Sequence, residues 1–378
     1  MLKIGVIGYG ARIAAAVEAM LETGKCCLAA IADIDPEGAR SRAEAQGCMD
    51  VRYYTDAEEM LRTERLDGVC IGTRCSLHTR YALLAGSFGL PVFLEKPVST
   101  TEEELERLRS LMPISDRFVV SFPLRFTPIV KTVREIIDSG RLGTIEHVQA
   151  YNNVPYGRCY YHGWCRDEGE TGGLFLQKST HDFDYINYLL GENKPVRLCA
   201  MESKQIFKGD KPAGVRCDQC PEAENCPESI ENINSYNEHA DPNGMCCFAT
   251  DTGNHDSASV IVEYESGMHV VYSQNFFARK GAKKRGARLF GYKGTVEFDF
   301  NTGVVTVYRH NEEITETYTV KHTGHHFGGD RILTRNFVDL MAGTAASKAT
   351  LAEGILSADM CLAAKRSAQD HSFQDIHL

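Results

Sequence analysis

Near its start the chain reads Lys3-Ile4-Gly5-Val6-Ile7-Gly8-Tyr9-Gly10-Ala11-Arg12-Ile13-Ala14: an apolar strand, a glycine turn and the opening of a helix, with nothing between them. Few folds accept that order. Gly8 permits a tight turn, and Gly10 lets a ligand approach the backbone. A helix starting near Ala11 aims free N–H groups and the positive end of its dipole at that point, which suits an anion. Residues 28–33 (Leu-Ala-Ala-Ile-Ala-Asp) read as a second strand closed by an acid. A carboxylate there accepts hydrogen bonds from ribose hydroxyls and repels a 2′-phosphate. Strand, glycines, helix, second strand and acid in register predict a dinucleotide site that takes NAD in preference to NADP. Its lining is Gly8, Gly10, Ala11, Arg12, Ile13 and Asp33. Ile13 stands where a third glycine usually lets helix and strand pack closely, so a slightly wider spacing is expected.

The next hundred residues keep the same rhythm. Strands over 66–72, 91–95 and 117–121 alternate with helices over 79–88 and 101–111, which predicts a parallel sheet with helices on both faces. Ser99 or Thr100 can cap the second of these helices, and Glu102, Glu103 and Glu104 suit its positive end. Beyond residue 122 the pattern changes. A helix over 127–139 stops at Gly140. Period-two strands follow over 145–151, 196–201, 257–264, 269–276, 287–291, 295–299 and 304–308, interrupted by a helix over 181–190. The chain closes with helices over 330–341 and 351–368. The expected fold class is an α/β Rossmann domain, a doubly wound parallel sheet, plus an α+β domain with an open, mostly antiparallel sheet. The expected domains are 1–122 for the dinucleotide, 123–328 for substrate and oligomerisation with a cysteine-rich insertion over 206–250, and 329–378 as helices packing back on the first domain.

Composition narrows the partners. With 378 residues the chain can bury a large core. A net charge of −10 argues against nucleic acid and anionic membranes. No apolar run approaches the ~20 residues of a membrane span. The first strand begins at Leu2, which leaves no room for a secretory signal, and fourteen cysteines then point to reduced thiols in the cytoplasm. There are no internal repeats or low-complexity tracts. One face of the second sheet, expected to be rich in Val, Ile, Tyr and Phe, calls for a partner copy, giving a homodimer or homotetramer.

Further marks lie along the chain: residues 73–78 after the third strand, Glu95-Lys96-Pro97, and Phe126-Thr127-Pro128 leading to Asp138-Ser139-Gly140-Arg141-Leu142-Gly143. Gly172-Gly173 then leads to His181-Asp182. Together with the glycine turn these make the chain resemble the glucose–fructose oxidoreductase, inositol dehydrogenase and rhizopine-catabolism family (Gfo/Idh/MocA) over nearly its whole length. Such enzymes oxidise secondary hydroxyls of sugars and polyols, or reduce the ketones, with NAD(P). A minority cleave glycosides through transient oxidation. The resemblance implies that Thr73, His78, Glu95 and Lys96 border the cofactor.

The chemistry also follows from the residues. Hydride leaves a carbinol carbon only as the hydroxyl proton departs, so a base must serve that oxygen. Lys96 follows a strand's carboxyl end, where open α/β sheets place their ligands. From there it can reach both the nicotinamide ribose and the substrate oxygen. His181 opens a helix, and imidazole is the usual base near pH 7. The family pattern carries an Asp four residues before this His. Here the position is Gln177, which cannot titrate, so the relay falls to His181 alone or to His181 with Lys178. Two lysines in one cleft would lower each other's pKa. Trp164 offers an apolar face to sugar C–H groups and Arg166 a donor fork, although Trp164 serves packing equally well. Arg125, Gln177 and His325 complete the substrate side, with His326 the alternative to His325 in a loop folded back before the C-terminal helix.

Cys217, Cys220 and Cys226 have CxxC-then-five spacing, and Cys246 and Cys247 follow. Four thiolates from Cys217, Cys220, Cys226 and Cys246 would fit a closed, structural zinc site. Free thiols or a disulfide are the alternative. Three functions fit the whole: an NAD-dependent oxidoreductase for a sugar or cyclitol, a glycoside-cleaving enzyme that recycles bound NAD, and a sugar sensor without chemistry.

Overall fold

The computed structural model describes residues 1–230, 232, 244–321 and 324–377; the side chain of His325 lies outside that description. Two sheets organise the chain. The first holds β1 (Leu2–Ile7), β2 (Cys26–Ala32), β3 (Arg52–Tyr54), β4 (Gly68–Ile71), β5 (Val92–Leu94) and β6 (Phe118–Val120), all parallel, in the order β3-β2-β1-β4-β5-β6. That is the doubly wound order, with its crevice beyond the carboxyl ends of β1 and β4. The central strands are apolar on both faces because helices cover both: Val69, Cys70, Ile71, Val92, Phe93 and Leu94 are fully buried. Each large side chain buried this way contributes roughly 1.5–3 kcal/mol.

The second sheet contains β7 (Ile145–Asn153), β8 (Pro195–Ser203), β9 (Ser257–Tyr264), β10 (His269–Asn275), β11 (Lys284–Gly291), β12 (Gly294–Asp299), β13 (Val304–Arg309), β14 (Thr315–Thr319) and β15 (Gln374–Asp375). Their order is β14-β13-β12-β11-β7-β10-β9-β8-β15. Pairing is antiparallel except between β7 and β10. Alternation along β9 points Ala258, Val260 and Val262 at the helices and Ser259 and Ile261 outward. The outward face mixes Ile261, Phe290 and Tyr308 with Gln149, Ser259 and Arg288, and is less apolar than expected.

The C-terminal helices divide their contacts. Gly329–Met341 packs on the first helix, Ala11–Leu21, and sets Phe337 against Phe93 at 5.7 Å between ring centroids. Leu351–Asp370 instead packs mainly on β8 and on the helix Thr180–Leu190, which joins the two sheets. The helix Glu102–Leu108 is capped by Thr101, whose side chain accepts from the Glu104 N–H, rather than by Ser99 or Thr100.

Candidate functional site

The glycine turn has the geometry the sequence anticipates. Gly8 sits at φ +76°, and a Cβ there would come within 2.7–2.9 Å of Thr73, so no other residue fits. Asp33 closes β2 and reaches back to the turn. Its Oδ2 accepts from the Tyr9 N–H at 2.6 Å and its Oδ1 from the Asp35 N–H at 2.9 Å. Gly10 caps the helix Ala11–Leu21 without a side-chain cap, and a Cβ on it would meet nothing within 4 Å. The first N–H groups of that helix therefore face open space beside an acid, which fits a dinucleotide pyrophosphate and ribose. Ile13 does not widen the packing as expected. It is fully buried in the place made by Gly72, where a Cβ would overlap it at 2.3 Å. The missing glycine of the turn has been moved to the facing strand end.

Arg12 and Glu95, expected at the cofactor, are joined to each other. Arg12 Nε meets Glu95 at 3.0 Å, and its two Nη atoms meet Asp330 at 3.2 and 2.7 Å. This ties the Rossmann helix to the start of the C-terminal helix. His78 is buried, with Nδ1 2.7 Å from the Pro97 carbonyl and Nε2 3.2 Å from the Thr73 carbonyl. It clamps the loops beyond β4 and β5 together.

Across the crevice a π-helical turn, Phe175–Ser179, runs into the helix Thr180–Leu190. Such turns displace side chains from the regular helical stripe. Here Gln177, Lys178 and His181 are all buried. Lys96, whose bond to Pro97 is cis, donates from Nζ to the Gln177 carbonyl at 3.0 Å. The Gln177 side chain turns away to Cys75 Sγ at 3.1 Å. Lys178 Nζ donates to the Tyr156 hydroxyl and lies 4.5 Å from the centre of that ring. His181 Nδ1 is buried with no hydrogen-bond partner among the described residues. Its ring stands 5.6 Å from that of His326.

The electrostatics are one-sided. Burial pushes the Lys96 ammonium below its ordinary range, the Cys75 thiol opposes this, and Lys178 lowers it further. His181 is pushed well below the usual imidazole value by burial and then by Lys96, His326, Arg285 and Lys178. A neutral His181 among cations is the result.

The other expected contacts are distributed differently. Arg125 is buried and engaged by Asp184, Glu353 and the Lys348 carbonyl, so its guanidinium serves the fold. Arg166 gives Nη2 to Asp251 at 2.7 Å and Thr252 at 2.8 Å, while its Nε and Nη1 have no partner among the described residues. Trp164 is 39% exposed and stacks under the Arg74 guanidinium at 4.0 Å, a contact with the first sheet's loops. The His325 side chain lies outside the described residues. Sequence reasoning missed Tyr156 and Arg285, which lie in a loop and a strand. His326, a candidate beside His325, lies in a turn where it and Phe327 take positive φ.

The zinc expectation is not supported. Cys217, Cys220, Cys226 and Cys246 do gather in one neighbourhood, where Cys220 and Cys226 act on the Cys217 and Cys246 thiols. Among the described residues, however, no three His, Cys, Asp or Glu side chains are arranged to hold a metal. The loop is held instead by short backbone bridges, Arg216 to Met245 and Lys211 to Ala249, and all fourteen cysteines are free. Burial raises the Cys217 and Cys246 thiols, which keeps them protonated.

Comparison with known proteins agrees with this arrangement. Residues 2–120 match the oxidoreductase family with an NAD-binding Rossmann fold, and residues 130–297 match the GFO/IDH/MocA C-terminal domain. The inositol 2-dehydrogenase of Rhizobium meliloti (strain 1021) is 28% identical over 299 residues, covering 78% of this chain and 74% of that protein. An oxidoreductase domain protein from Kribbella flavida superposes over 100% of this chain and 99% of its own with a TM-score of 0.81 at 18% identity. A levoglucosan dehydrogenase solved with NADH and levoglucosan superposes over 100% of both chains with a TM-score of 0.79, also at 18% identity. Glycine cradle, acid-closed second strand and two-sheet architecture accompany matches across both domains, and the chain belongs to the GFO/IDH/MocA oxidoreductase family.

Proposed function

We propose that the chain is an NAD-dependent dehydrogenase moving a hydride between a secondary alcohol carbon of a sugar or cyclitol and nicotinamide. One observation carries the reading: Lys96, following the carboxyl end of β5, donates to the Gln177 carbonyl at 3.0 Å, which seats it on the turn of the second domain that holds Lys178 and leads into His181. Relatives named inositol 2-dehydrogenase support the substrate class. NAD, when bound, supplies the hydride acceptor. Gly8, Gly10 and Ala11 would hold the pyrophosphate, and Asp33 the adenosine ribose. Lys96 would touch the nicotinamide ribose and the reacting oxygen, donating a hydrogen bond to both. His181, with Nδ1 unpartnered, would meet the same oxygen or its neighbour. Gln177, Trp164 and Arg166 would line the far side of the substrate.

Cations at the crevice without a carboxylate ion pair among the described residues favour a transition state in which the oxygen carries negative charge. That is the alkoxide-like oxygen of hydride departure. We also place the protein in the cytoplasm, on its free thiols, and expect a homo-oligomer through the outward sheet face.

The test is a panel of inositols, hexoses and their glycosides assayed with the purified protein and NAD. NADH release with a polyol or sugar supports the proposal. Glycoside cleavage without NADH release would replace it with the redox-neutral cycle. Light scattering at micromolar concentration checks the oligomer, and a monomeric mass would remove that part.

A further inference from the structure

His181 is poorly suited to be the final proton acceptor. Taking a proton would place a fourth positive charge beside Lys96, Lys178 and Arg285, and burial opposes it as well. Gln177, in the position of the family's acid, cannot accept one. A site this rich in cations favours a base that starts negative and becomes neutral. The Asp182 carboxylate is already taken up by Arg285, Asn152 and Tyr272, whereas the phenol of Tyr156 meets Lys178 directly.

Tyr156 lies in the loop after β7. Its hydroxyl oxygen accepts from Lys178 Nζ, and the same ammonium lies 4.5 Å over its ring and 5.6 Å over that of Tyr160. Arg285, on β11 beside Asn152 of β7, is near enough to act on its charge. Arg285 Nε is paired with Asp182 at 2.8 Å, but its Nη2 is buried with no partner among the described residues. Asp182 is itself held by Asn152 at 2.8 Å and Tyr272 at 2.9 Å, so the guanidinium is fixed in place. Gly157 keeps this loop against β10, since a Cβ there would overlap the Phe276 carbonyl at 2.0 Å. The phenol is therefore held by rigid neighbours, with the Lys178 ammonium directly on it.

We infer that Tyr156, clamped by Lys178, is the acid–base residue that exchanges the substrate's hydroxyl proton. The inference rests on the dehydrogenase reading above. In the oxidative direction the carbinol O–H bond breaks and its proton bonds to the Tyr156 phenolate oxygen. The carbinol hydrogen leaves carbon with its bonding pair as hydride to the nicotinamide ring of NAD⁺, and the former O–H pair forms the C=O π bond. In the reductive direction the phenol returns the proton to the oxygen. Lys178 is then a positioning residue that holds the phenolate, and Lys96 steadies the oxygen.

The groups around the phenol agree. Burial alone would raise it, yet Lys178 and Arg285 bring Tyr156 below the usual phenol value, with Cys159 acting weakly the other way. Other tyrosines shift upward: burial raises Tyr160, Tyr161, Tyr185 and Tyr272 well above it. An early-ionising phenol should therefore stand out.

Two measurements test this. In the cofactor-free protein, the tyrosinate absorbance of the parent minus that of Tyr156→Phe should show one phenol ionising below the ordinary value of about 10. Lys178→Met should move that step upward. A difference spectrum that rises only at or above that value overturns the inference. In single-turnover oxidation, Tyr156→Phe should lose ~100–10,000-fold in rate with KM little changed. A full rate in Tyr156→Phe overturns the assignment while leaving the dehydrogenase reading intact. Failure of the parent itself to reduce NAD with any alcohol would overturn that reading, and the Tyr156 assignment with it.

Discussion

Two buried charge clusters lie near the joint between the sheets and are built on opposite terms. Around Arg125, the guanidinium is enclosed by Asp184 and Glu353, which more than offset the burial opposing its charge. Around Lys96, a half-buried ammonium, the buried ammonium of Lys178 and the buried His181 imidazole have, among the described residues, backbone and phenol oxygens as partners and no carboxylate in an ion pair. The first arrangement is complete without a ligand. The second leaves positive charge partly uncompensated, which costs stability and favours an anion or a developing oxyanion. An arginine fully matched by carboxylates belongs to the fold, whereas lysines deprived of them belong to the site.

The largest expected effect breaks the second cluster. Lys96→Met should reduce single-turnover hydride transfer by ~100–10,000-fold while NAD binding changes little. Its urea midpoint should stay level or rise, because a half-buried ammonium with no carboxylate partner among the described residues is removed. A full rate in that variant would remove the case for Lys96.

The first cluster should respond in the opposite way. Asp184→Ala leaves Arg125 buried with one partner fewer and should lose about 3–5 kcal/mol in urea unfolding. A loss well under 1 kcal/mol would show that the two clusters do not differ as described.

A smaller effect concerns the cradle. Asp33→Ser removes the carboxylate that would face a 2′-phosphate, so the ratio of NAD to NADP affinity should fall by about 10–100-fold. An unmodified protein that binds NADP more tightly in titration calorimetry would contradict the role of Asp33.

The smallest effect follows pH. Burial holds His78 below the ordinary imidazole value, so it stays neutral in the fold while its unfolded counterpart titrates near 6.5. The unfolded chain then binds more protons, and the stability His78 contributes, present above that value, is lost as pH falls below it. The slope is at most about 1.4 kcal/mol per pH unit for one group. Denaturation of His78→Asn between pH 7 and 5 should show a shallower decline than the parent. An equal decline would assign the slope to other groups.

Much of this protein was legible as local pattern. The turn at Gly8, the acid at Asp33, the alternation of the first domain and the period-two strands of the second each involve a few consecutive residues. Backbone sterics and burial periodicity act at that range. The short strands β3 and β15 and the outer strand β14 escaped because they have few residues and little apolar contrast. Arg125 illustrates a misread residue. Nothing in its neighbours reveals that Asp184 and Glu353 arrive to neutralise it.

By itself, then, the sequence determined the dinucleotide cradle, the two-sheet plan and the identity of Lys96 and His181 as candidates, because each is encoded within one turn or one strand. Only tertiary structure decided that Gly72 makes room for Ile13, that Arg12 is tied to Asp330, and that Lys178 meets Tyr156. Those pairings join segments far apart in the chain, where side-chain volume and charge are matched only after the sheets have packed.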